Sequence, residues 1–290
     1  MRIKRKSLLS EYTMRQTRPL FTIITPCFNP GNKMVATIES VLSQHPGLFE
    51  YWVIDGGSSD GTVDLLTNTG NHVQWISEPD GGVYDAMNKG IARSRGDYLY
   101  FLGAGDVLKP GILETMADVV PSDRAALVYG NVFWVGDDPV YGGTVYAGQF
   151  SKERIVNLCP NHQSIFYHRS IFELVGRYSP DYRILADWHL NLKCFGDDRI
   201  SKIYVDIIVA DYEGGGVSSC TIDKTFFRRR TLLVARYLGA RYAWQILSER
   251  PNHWLASRIA LLRYLASRHP TYLAKRVWHH LRLKLRKGRV

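Results

Sequence analysis

Long apolar runs and paired cysteines are missing from this 290-residue chain, and each absence excludes a class of protein. No apolar stretch reaches the ~18 residues that a membrane-spanning helix requires. The first 20 residues are basic but lack the apolar block of a secretion signal. Only four cysteines occur, without CxxC pairing or metal-ligand spacing. We therefore expect reduced thiols and a cytoplasmic protein.

Two common phosphate-binding loops are also absent. No GxGxxG motif follows the first predicted strand, which argues against a dinucleotide-binding fold. No GxxxxGK(S/T) motif occurs, which excludes a P-loop nucleoside triphosphatase. A phosphate-containing ligand would therefore have to be bound by another kind of loop.

Acidic side chains are almost missing from residues 224–290, which carry 17 basic residues and one acid. Residues 1–20 carry six basic residues and one acid, whereas residues 21–223 carry 14 basic and 25 acidic ones. This asymmetry predicts a basic N-terminal segment, an acidic globular body and a basic C-terminal region. A nucleic-acid partner would explain the basic region but not the acidic body, so we expect none.

Short β-rich runs alternate with helical patterns at the start of the body. The predicted strands are Phe21–Thr25, Tyr51–Ile54 and Val73–Ile76, because each is a β-rich run bounded by turn residues. Apolar residues at helical spacing over 34–42 and a helix opening at Thr62 lie between them. This alternation predicts an α/β fold with a doubly wound, mostly parallel sheet.

The run Tyr98–Leu102 leads straight into Gly103, Ala104, Gly105 and Asp106. It predicts a buried strand that delivers one carboxylate to a tight turn at its end, where open α/β sheets bind ligands. One or two carboxylates together with substrate phosphates are a common arrangement for Mg²⁺ or Mn²⁺. A simple turn aspartate is the alternative interpretation.

Polar groups also gather over residues 78–90, on a loop and the first turns of a predicted helix. They are Asp80, Asp85, Asn88 and Lys89. Free N–H groups at a helix start attract phosphate, so this segment is a candidate for phosphate binding. An ordinary solvated helix face would have a similar composition.

Taken in order, these segments resemble family 2 glycosyltransferases, which have the GT-A nucleotide-sugar fold. The resemblance covers about residues 20–220. Residues 23–29 resemble the family's TPxYN turn, residues 38–44 its SVLxQ helix and residues 55–62 its DDGSTDGT loop. Residues 78–90 resemble the EPDxGxYDAMNKG variant found in exopolysaccharide enzymes, and residues 101–106 lie where the DXD metal motif falls. Two later segments, His162–Ser164 and Ala186–Trp188, match further landmarks of the family.

Two positions depart from the family pattern. Gly56 stands where many members have a second acid that in some of them reads uracil, which leaves the nucleobase open. The first acid of the DXD motif is also missing, because Gly103, Ala104 and Gly105 precede Asp106. Metal binding would then rest on Asp106, the diphosphate and water.

The resemblance implies a role for each site residue. Asp187, at a predicted helix start, would be the general base, with a helix N-cap as the alternative. His162 would lie near the diphosphate or acceptor, and Trp188 would form an apolar wall for an acceptor sugar; core packing is the alternative for both. The expected donor-binding residues are Thr25, Pro26, Phe28, Asn29, Asp55, Gly56, Asp80, Asn88, Lys89 and Gly105.

The implied reaction is transfer of one sugar from a nucleotide-sugar to an acceptor hydroxyl with inversion, assisted by a divalent cation. The Gly-rich segment 212–218 would be a lid over the diphosphate or a plain loop. The Gln-x-x-Arg-Trp motif of processive synthases is absent. Two other interpretations remain: an inactive sugar-nucleotide-binding module, and a nucleotidyltransferase of related fold, although residues 25–31 lack the GxGTR-like signature expected of the latter.

The basic region 224–290 predicts attachment to an anionic membrane. Over Thr271–Lys287, apolar residues and Trp278 fall on one arc of a helix and most of the basic residues on the other. Such attachment would place the enzyme peripherally on the inner face of the cytoplasmic membrane, next to a polyprenyl-linked saccharide acceptor. The alternative is that these helices pack on the catalytic domain, or on a second copy of the chain in a homo-oligomer.

Overall fold

The computed structural model describes residues 18–136, 142–214, 222–249 and 266–267. Most of the basic N-terminal segment, the 215–218 part of the predicted lid and the amphipathic pattern over 271–287 lie outside these ranges. Among the helices that are described, none combines the length and the apolar character needed to cross a bilayer.

A single mixed sheet with flanking helices forms the body. Its strands are β1 (Phe21–Cys27), β2 (Phe49–Asp55), β3 (Gln74–Ser77), β4 (Tyr98–Phe101), β5 (Val107–Leu108), β6 (Ala126–Trp134), β7 (Val145–Tyr146), β8 (Ile165–His168) and β9 (Ser201–Tyr212). The helices are α1 (Lys33–Leu42), α2 (Thr62–Thr67), α3 (Val83–Arg93), α4 (Ile112–Ala117), α5 (Lys152–Asn157), α6 (Ser170–Leu174), α7 (Ala186–Gly196), α8 (Lys224–Tyr237) and α9 (Ala240–Glu249).

The strands lie in the order β3-β2-β1-β4-β8-β6-β9-β5, with β7 paired to β6. The first four strands of the chain are parallel neighbours, and β6 and β9 are also parallel. β8 runs antiparallel between β4 and β6. The predicted α/β fold is confirmed, and the inserted antiparallel strand is a feature that the sequence pattern did not reveal.

Alternating side chains of the sheet build two hydrophobic layers. Tyr98 and Tyr100 of β4 face a cluster that includes α1, α2 and α4. Leu99 and Phe101 face the opposite cluster, which includes α3 and α5 to α9. Helix α3 approaches β1 closely because Gly90 has no side chain, since a Cβ there would lie 2.5 Å from Cγ2 of Ile24.

The C-terminal helices α8 and α9 belong to this second cluster. The predicted domain boundary coincides with a helix start, because Asp223 caps α8 by accepting a hydrogen bond from the backbone N–H of Phe226 at 2.9 Å. However, Phe226, Val234 and Ala243 are buried in the same core as α7. The part of the basic region that the structure describes therefore packs on the body, as the alternative interpretation had it.

Candidate active site

The loop after β2 is organised around the buried carboxylate of Asp55. Its Oδ2 accepts hydrogen bonds from the backbone N–H groups of Gly57 and Ser58 and from the hydroxyl of Ser77, at 3.2, 2.9 and 2.6 Å. Its Oδ1 accepts from the Ser58 hydroxyl and from Cys27 Sγ. Burial alone would raise the pKa of Asp55, but the hydrogen bonds outweigh it and hold the pKa below its usual value. Asp55 therefore fixes the shape of the loop from within.

The loop after β1 is tied to the same structure. Asn29, at a left-handed φ of 48°, donates its N–H to the Ser58 hydroxyl at 2.7 Å and accepts from the N–H of Ser59 at 2.8 Å. Gly31 donates its N–H to Asp60 at 2.6 Å. These bonds hold two strand ends as one rigid edge.

Three of the predicted donor-binding residues meet on the outer side of that edge. The Phe28 ring is 65% exposed, which is unusual for so large an apolar side chain. A Cβ on Gly56 would lie 3.4 Å from this ring and 2.7 Å from Oδ2 of Asp80. The structure thus brings an open aromatic face, a bare backbone and a carboxylate together at the carboxyl ends of β1, β2 and β3.

Other predicted donor-binding side chains have partners elsewhere. Thr25 is buried and shares a hydrogen bond with the Tyr51 hydroxyl at 3.0 Å, and Pro26 is buried beside it in β1. Asn88 exchanges hydrogen bonds with the backbone of Tyr178, at 2.9 and 3.1 Å. These three side chains therefore have protein partners in this structure, and a role of the residues in donor binding stays a prediction.

Lys89 is turned toward its own loop. Its Nζ lies 3.0 Å from Glu78 and 2.9 Å from the carbonyl oxygen of Pro79, with Asp85 at 3.7 Å. The ammonium group therefore closes the 78–85 loop over the start of α3. Only 20% of its side chain is exposed, and its contacts in this structure are with this loop.

Asp187 lies in the first turn of α7, where the positive end of the helix dipole favours a carboxylate. Leu185, not Asp187, occupies the N-cap position, so the helix-cap alternative does not describe this residue. Asp187 Oδ1 accepts hydrogen bonds from the Tyr84 hydroxyl at 2.9 Å and from the N–H of Trp188 at 2.7 Å. His162 Nδ1 is 3.5 Å from Oδ2, which leaves this oxygen the more available of the two.

Trp188 does not form the predicted wall of an acceptor site. Its indole is 6% exposed, donates to the carbonyl oxygen of Ile155 at 2.8 Å and packs on Phe226 and Phe227 of α8. The buried Arg230 guanidinium lies 5.6 Å from its ring centroid. Core packing, the alternative interpretation, accounts for this side chain.

The single turn His162–Ser164 connects two acids. His162 contacts Asp187, while the next residue, Gln163, donates its amide N–H to Oδ2 of Asp106 at 2.7 Å. The side chain of Asn161 holds the turn by accepting from the N–H of Gln163. A strand-end carboxylate and a helix-start carboxylate therefore lie on either side of one short segment.

Asp106 is 4% exposed, and the turn that carries it is fixed by Thr37, which donates its hydroxyl to the Asp106 carbonyl oxygen at 2.9 Å. Oδ1 accepts from the N–H of Glu213 at 3.0 Å. Burial raises the pKa of Asp106 to about 6, although the bonds from Gln163 and Glu213 oppose this. Within the described ranges, no group of three or more His, Cys, Asp or Glu side chains is placed to hold a metal ion.

Comparison with known protein families identifies the family of this chain. The family described as "Glycosyl transferase family 2" matches residues 22–173, a span that holds all but the first residue of β1, the strands β2 to β8, Asp106 and the His162–Ser164 turn. The chain belongs to glycosyltransferase family 2.

The glycosyltransferase is 36% identical over 264 residues to the PGL/p-HBAD biosynthesis glycosyltransferase of Mycobacterium tuberculosis, covering 86% of this chain and 97% of that one. Its structure is similar to that of S. aureus TarS in complex with UDP, with a TM-score of 0.61 at 16% identity, over 80% of this chain and 70% of TarS. It is also similar to mannosyltransferase PcManGT from Pyrobaculum calidifontis in complex with GDP-Man and Mn²⁺, with a TM-score of 0.55 at 14% identity, over 95% and 86%. At these identities the two structures establish the shared fold.

Three residues of the glycosyltransferase site were not predicted from the sequence. Tyr84 contacts Asp187, and Gln163 and Glu213 contact Asp106. Tyr84 lies inside the 78–90 motif and Gln163 inside the His162–Ser164 landmark, so both motifs carried a signal. Glu213 lies in the 212–218 segment that was expected to cover the diphosphate, but its contact with Asp106, 107 residues away, had no local signal.

Proposed function

We propose that this glycosyltransferase transfers one sugar from a nucleotide-sugar donor to a hydroxyl of a saccharide acceptor, with inversion at the anomeric carbon. The observation that carries the proposal is the placement of Asp187 and Asp106 on either side of the His162–Ser164 turn. The carboxylate of Asp187 is available for the acceptor proton, and that of Asp106 lies in the turn after β4, at the proposed donor-binding edge of the sheet.

In the proposed reaction, Asp187 accepts the proton of the acceptor hydroxyl. The acceptor oxygen forms a bond to the anomeric carbon as the bond from that carbon to the phosphate oxygen breaks, and the nucleoside diphosphate leaves with the electron pair. A positioned base contributes about 10²–10⁴-fold in rate. Tyr84 and the N–H of Trp188 hold Oδ1, which leaves Oδ2 for the proton.

Asp106 and its surroundings fit a divalent cation. A bound Mg²⁺ or Mn²⁺ would supply positive charge to the leaving diphosphate, with Asp106 as a ligand. The carbonyl oxygen Oε1 of Gln163 is buried beside Asp106 and accepts no hydrogen bond, which supports the fit because oxygen is the ligand these cations prefer.

The exposed edge formed by Phe28, Gly56 and Asp80 is the proposed nucleoside site. A base can stack on the open Phe28 ring, and the absence of a side chain at Gly56 allows close approach to the backbone. Because the similar TarS structure is a complex with UDP and the PcManGT structure a complex with GDP-Man, the candidates include both pyrimidine and purine nucleotides.

A thermal-shift panel tests the donor. UDP-, GDP- and dTDP-sugars are added to the full chain with Mg²⁺ or Mn²⁺, and one nucleotide should stabilise it, by about 2.7 kcal/mol at 100 times its Kd. Release of nucleoside diphosphate from the bound donor is then followed with water or a saccharide as acceptor. Asp187→Asn should lose turnover by about 10²–10⁴-fold while keeping the thermal shift.

Two results would contradict the proposal. Turnover of Asp187→Asn within tenfold of wild type would remove Asp187 as the base. Donor binding without turnover in the wild type, with every acceptor supplied, would favour the inactive binding module that the missing DXD acid at Ala104 allows.

We further propose a lipid-linked acceptor and attachment to the inner face of the cytoplasmic membrane. The mycobacterial relative, named for PGL/p-HBAD biosynthesis, supports a role in glycoconjugate assembly. Because α8 and α9 pack on the body, the attachment is assigned to the basic sequence after Glu249. Each Lys or Arg near anionic lipid contributes about 1 kcal/mol, so several suffice for reversible binding.

Vesicle co-sedimentation tests this attachment on the full chain. The protein should sediment with anionic vesicles at low salt, and it should be released at high salt or with neutral vesicles. Replacing Arg282, Arg286 and Lys287 by Gln should weaken binding, whereas replacing Arg228 and Arg236 of α8 should have a smaller effect. Equal binding to neutral vesicles would contradict the electrostatic part of the proposal.

A further inference from the structure

The side chain of Glu213 lies where the side chain of the middle residue of a DXD motif would be, at Gly105. Ala104 stands two positions before Asp106, where the motif would carry its first acid, and Gly105 lies between them. A Cβ on Gly105 would collide with Glu213 Oε2. Gly105 is at φ 104°, which favours glycine, so the backbone and the missing side chain together admit this carboxylate.

The backbone of Glu213 is fixed at the same place. Its N–H donates to Asp106 Oδ1 at 3.0 Å, directly after the end of β9. Glu213 is therefore held beside Asp106 by its main chain, and its side chain reaches back over Gly105. Asp106 thus contacts the main chain of Glu213, and the Glu213 carboxylate lies over the residue that precedes Asp106 in the motif.

An unsatisfied oxygen points to a ligand at this position. Gln163 is 3% exposed, its amide N–H is donated to Asp106 Oδ2, and its buried Oε1 accepts no hydrogen bond. A buried carbonyl oxygen without a partner is costly unless a donor or a cation is supplied. A hard cation bound by Asp106 would find oxygen ligands on both sides.

Lys33 gives the site a cation of its own. Its Nζ lies 2.9 Å from Glu213 Oε1, with 61% of the lysine side chain and 39% of the glutamate side chain exposed. Lys33 is the first residue of α1 and its Cδ would lie 3.7 Å from a Cβ at Gly105. The ammonium group therefore occupies a position at which a divalent cation would compete with it for Glu213.

We propose that Glu213 replaces the missing DXD acid as a second carboxylate ligand of the divalent cation at Asp106, in exchange for its ion pair with Lys33. Lys33 is then released at the same edge to contact the diphosphate of the donor. This inference rests on the proposed function, because it assigns the metal to the donor site of the transferase.

The test measures Mn²⁺ binding to the full chain by the loss of the free-ion electron paramagnetic resonance signal, without nucleotide and then with UDP, GDP or dTDP. Glu213→Gln should weaken Mn²⁺ binding by about tenfold or more, as should Asp106→Asn, because ligand charge sets affinity. Glu153→Gln is the matched control, since it breaks a similarly exposed pair with Arg241 and should change nothing.

Two further variants separate a ligand from a structural residue. Lys33→Gln should strengthen Mn²⁺ binding in the absence of nucleotide, because the competing cation is removed. A carboxylate returned to the motif by Ala104→Asp should restore Mn²⁺ binding in the Glu213→Gln background. A role limited to the ion pair predicts that Lys33→Gln and Glu213→Gln behave alike and that the added acid restores nothing.

Wild-type Mn²⁺ affinity in Glu213→Gln, or no Mn²⁺ binding by the wild type with any nucleotide, would overturn the assignment. These outcomes are distinct from a failure of the proposed function. Intact Mn²⁺ binding without any sugar transfer would count against the transferase and leave the two-carboxylate site standing. Transfer that continues while Glu213→Gln binds Mn²⁺ normally would count against Glu213 alone.

Discussion

The hydroxyl of Tyr84 lies between the carbonyl oxygen of Ile184 and Oδ1 of Asp187, at 2.9 Å from the latter. It thereby joins α3 to the start of α7 across 103 residues of sequence. The phenol is buried, so this contact is shielded from water. We conclude that Tyr84 is a positioning residue for the proposed base.

Tyr84→Phe should lower kcat by about tenfold, because a buried hydrogen bond contributes about 0.5–1.5 kcal/mol and more to a charged partner. The KM for the donor should change little, since Tyr84 does not reach the Phe28 edge. Steady-state kinetics with the donor found in the thermal-shift panel measure both. Tyr98→Phe is the control, because it also removes a bond to a backbone carbonyl, that of Pro121, far from Asp187. Equal kcat losses in the two variants would reduce Tyr84 to a structural role.

Asp223 connects α8 to the segment before Asp187. Its Oδ2 accepts from the N–H groups of Ile184 and Leu185 at 3.1 and 3.3 Å, and its Oδ1 caps α8. Asp223→Ala should therefore cost about 2–4 kcal/mol of unfolding free energy, because buried donors lose their acceptor. Activity should fall further than stability explains, since the start of α7 loses its anchor.

Ser151→Ala is the matched cap variant for this comparison. Ser151 caps α5 through the single N–H of Arg154, so its loss should cost about 1 kcal/mol and leave kcat unchanged. Urea unfolding and kinetics on both variants provide the measurement. The anchoring role of Asp223 fails if Asp223→Ala keeps wild-type kcat at a temperature where it is fully folded.

Asp55 and Phe28 should respond differently to substitution. Asp55→Asn places an N–H₂ group among five hydrogen-bond donors, so it should lower stability by about 1–3 kcal/mol and weaken donor binding as well. Phe28→Ala should weaken donor binding by about tenfold or more through lost base stacking, with little change in stability. Calorimetric unfolding and donor titration of each variant test the contrast. Donor affinity that survives Phe28→Ala would move the nucleobase away from this ring.

His189 should make the fold sensitive to acid. Burial, and then the charge of Lys193, lower its pKa from 6.5 to about 4; Arg236 and Arg229 act in the same direction and Asp181 opposes them. Between these values the unfolded chain binds a proton that the folded chain does not. The contribution of neutral His189 to the free energy of unfolding is therefore fully present above pH 6.5. It is lost as the pH falls toward about 4, at up to ~1.4 kcal/mol per pH unit.

Urea unfolding between pH 7 and pH 4 measures this dependence. His189→Gln, which cannot titrate, should show a shallower loss of stability than the wild type over that range. His72→Gln is the control, because His72 is exposed and should leave the slope unchanged. Parallel curves for the wild type and His189→Gln would contradict the assignment.

Local periodicity was enough to predict the first half of the fold. The three predicted strands and the starts of the two predicted helices before residue 80 lie within two residues of β1, β2, β3, α1 and α2, because their apolar spacing and turn residues are local signals. The place of β8 was not predictable in the same way. Ile165–His168 is a four-residue strand, and its insertion between β4 and β6 depends on pairing with residues far along the chain.

The site shows the same division. The acids at the strand end and the helix start follow from sequence position, and the structure places Asp106 and Asp187 there. The burial of Trp188 could not be predicted, because the helix that covers it, α8, belongs by its charge to the basic C-terminal region. The partner of the Asn88 side chain could not be predicted, because it is a backbone group 90 residues away. Sequence composition predicts only the average exposure of a residue type, whereas tertiary packing sets the surroundings of Trp188 and Asn88.

The contribution of α8 to the core has a consequence for synthesis on the ribosome. The indole of Trp188, next to Asp187 in the chain, is covered on one side by Phe226 and Phe227. A nascent chain that ends before residue 224 has already made the sheet and both acids, but it leaves that face of α7 open to water. The carboxylate of Asp187, the proposed base, can therefore reach the environment described above only after α8 has been synthesised.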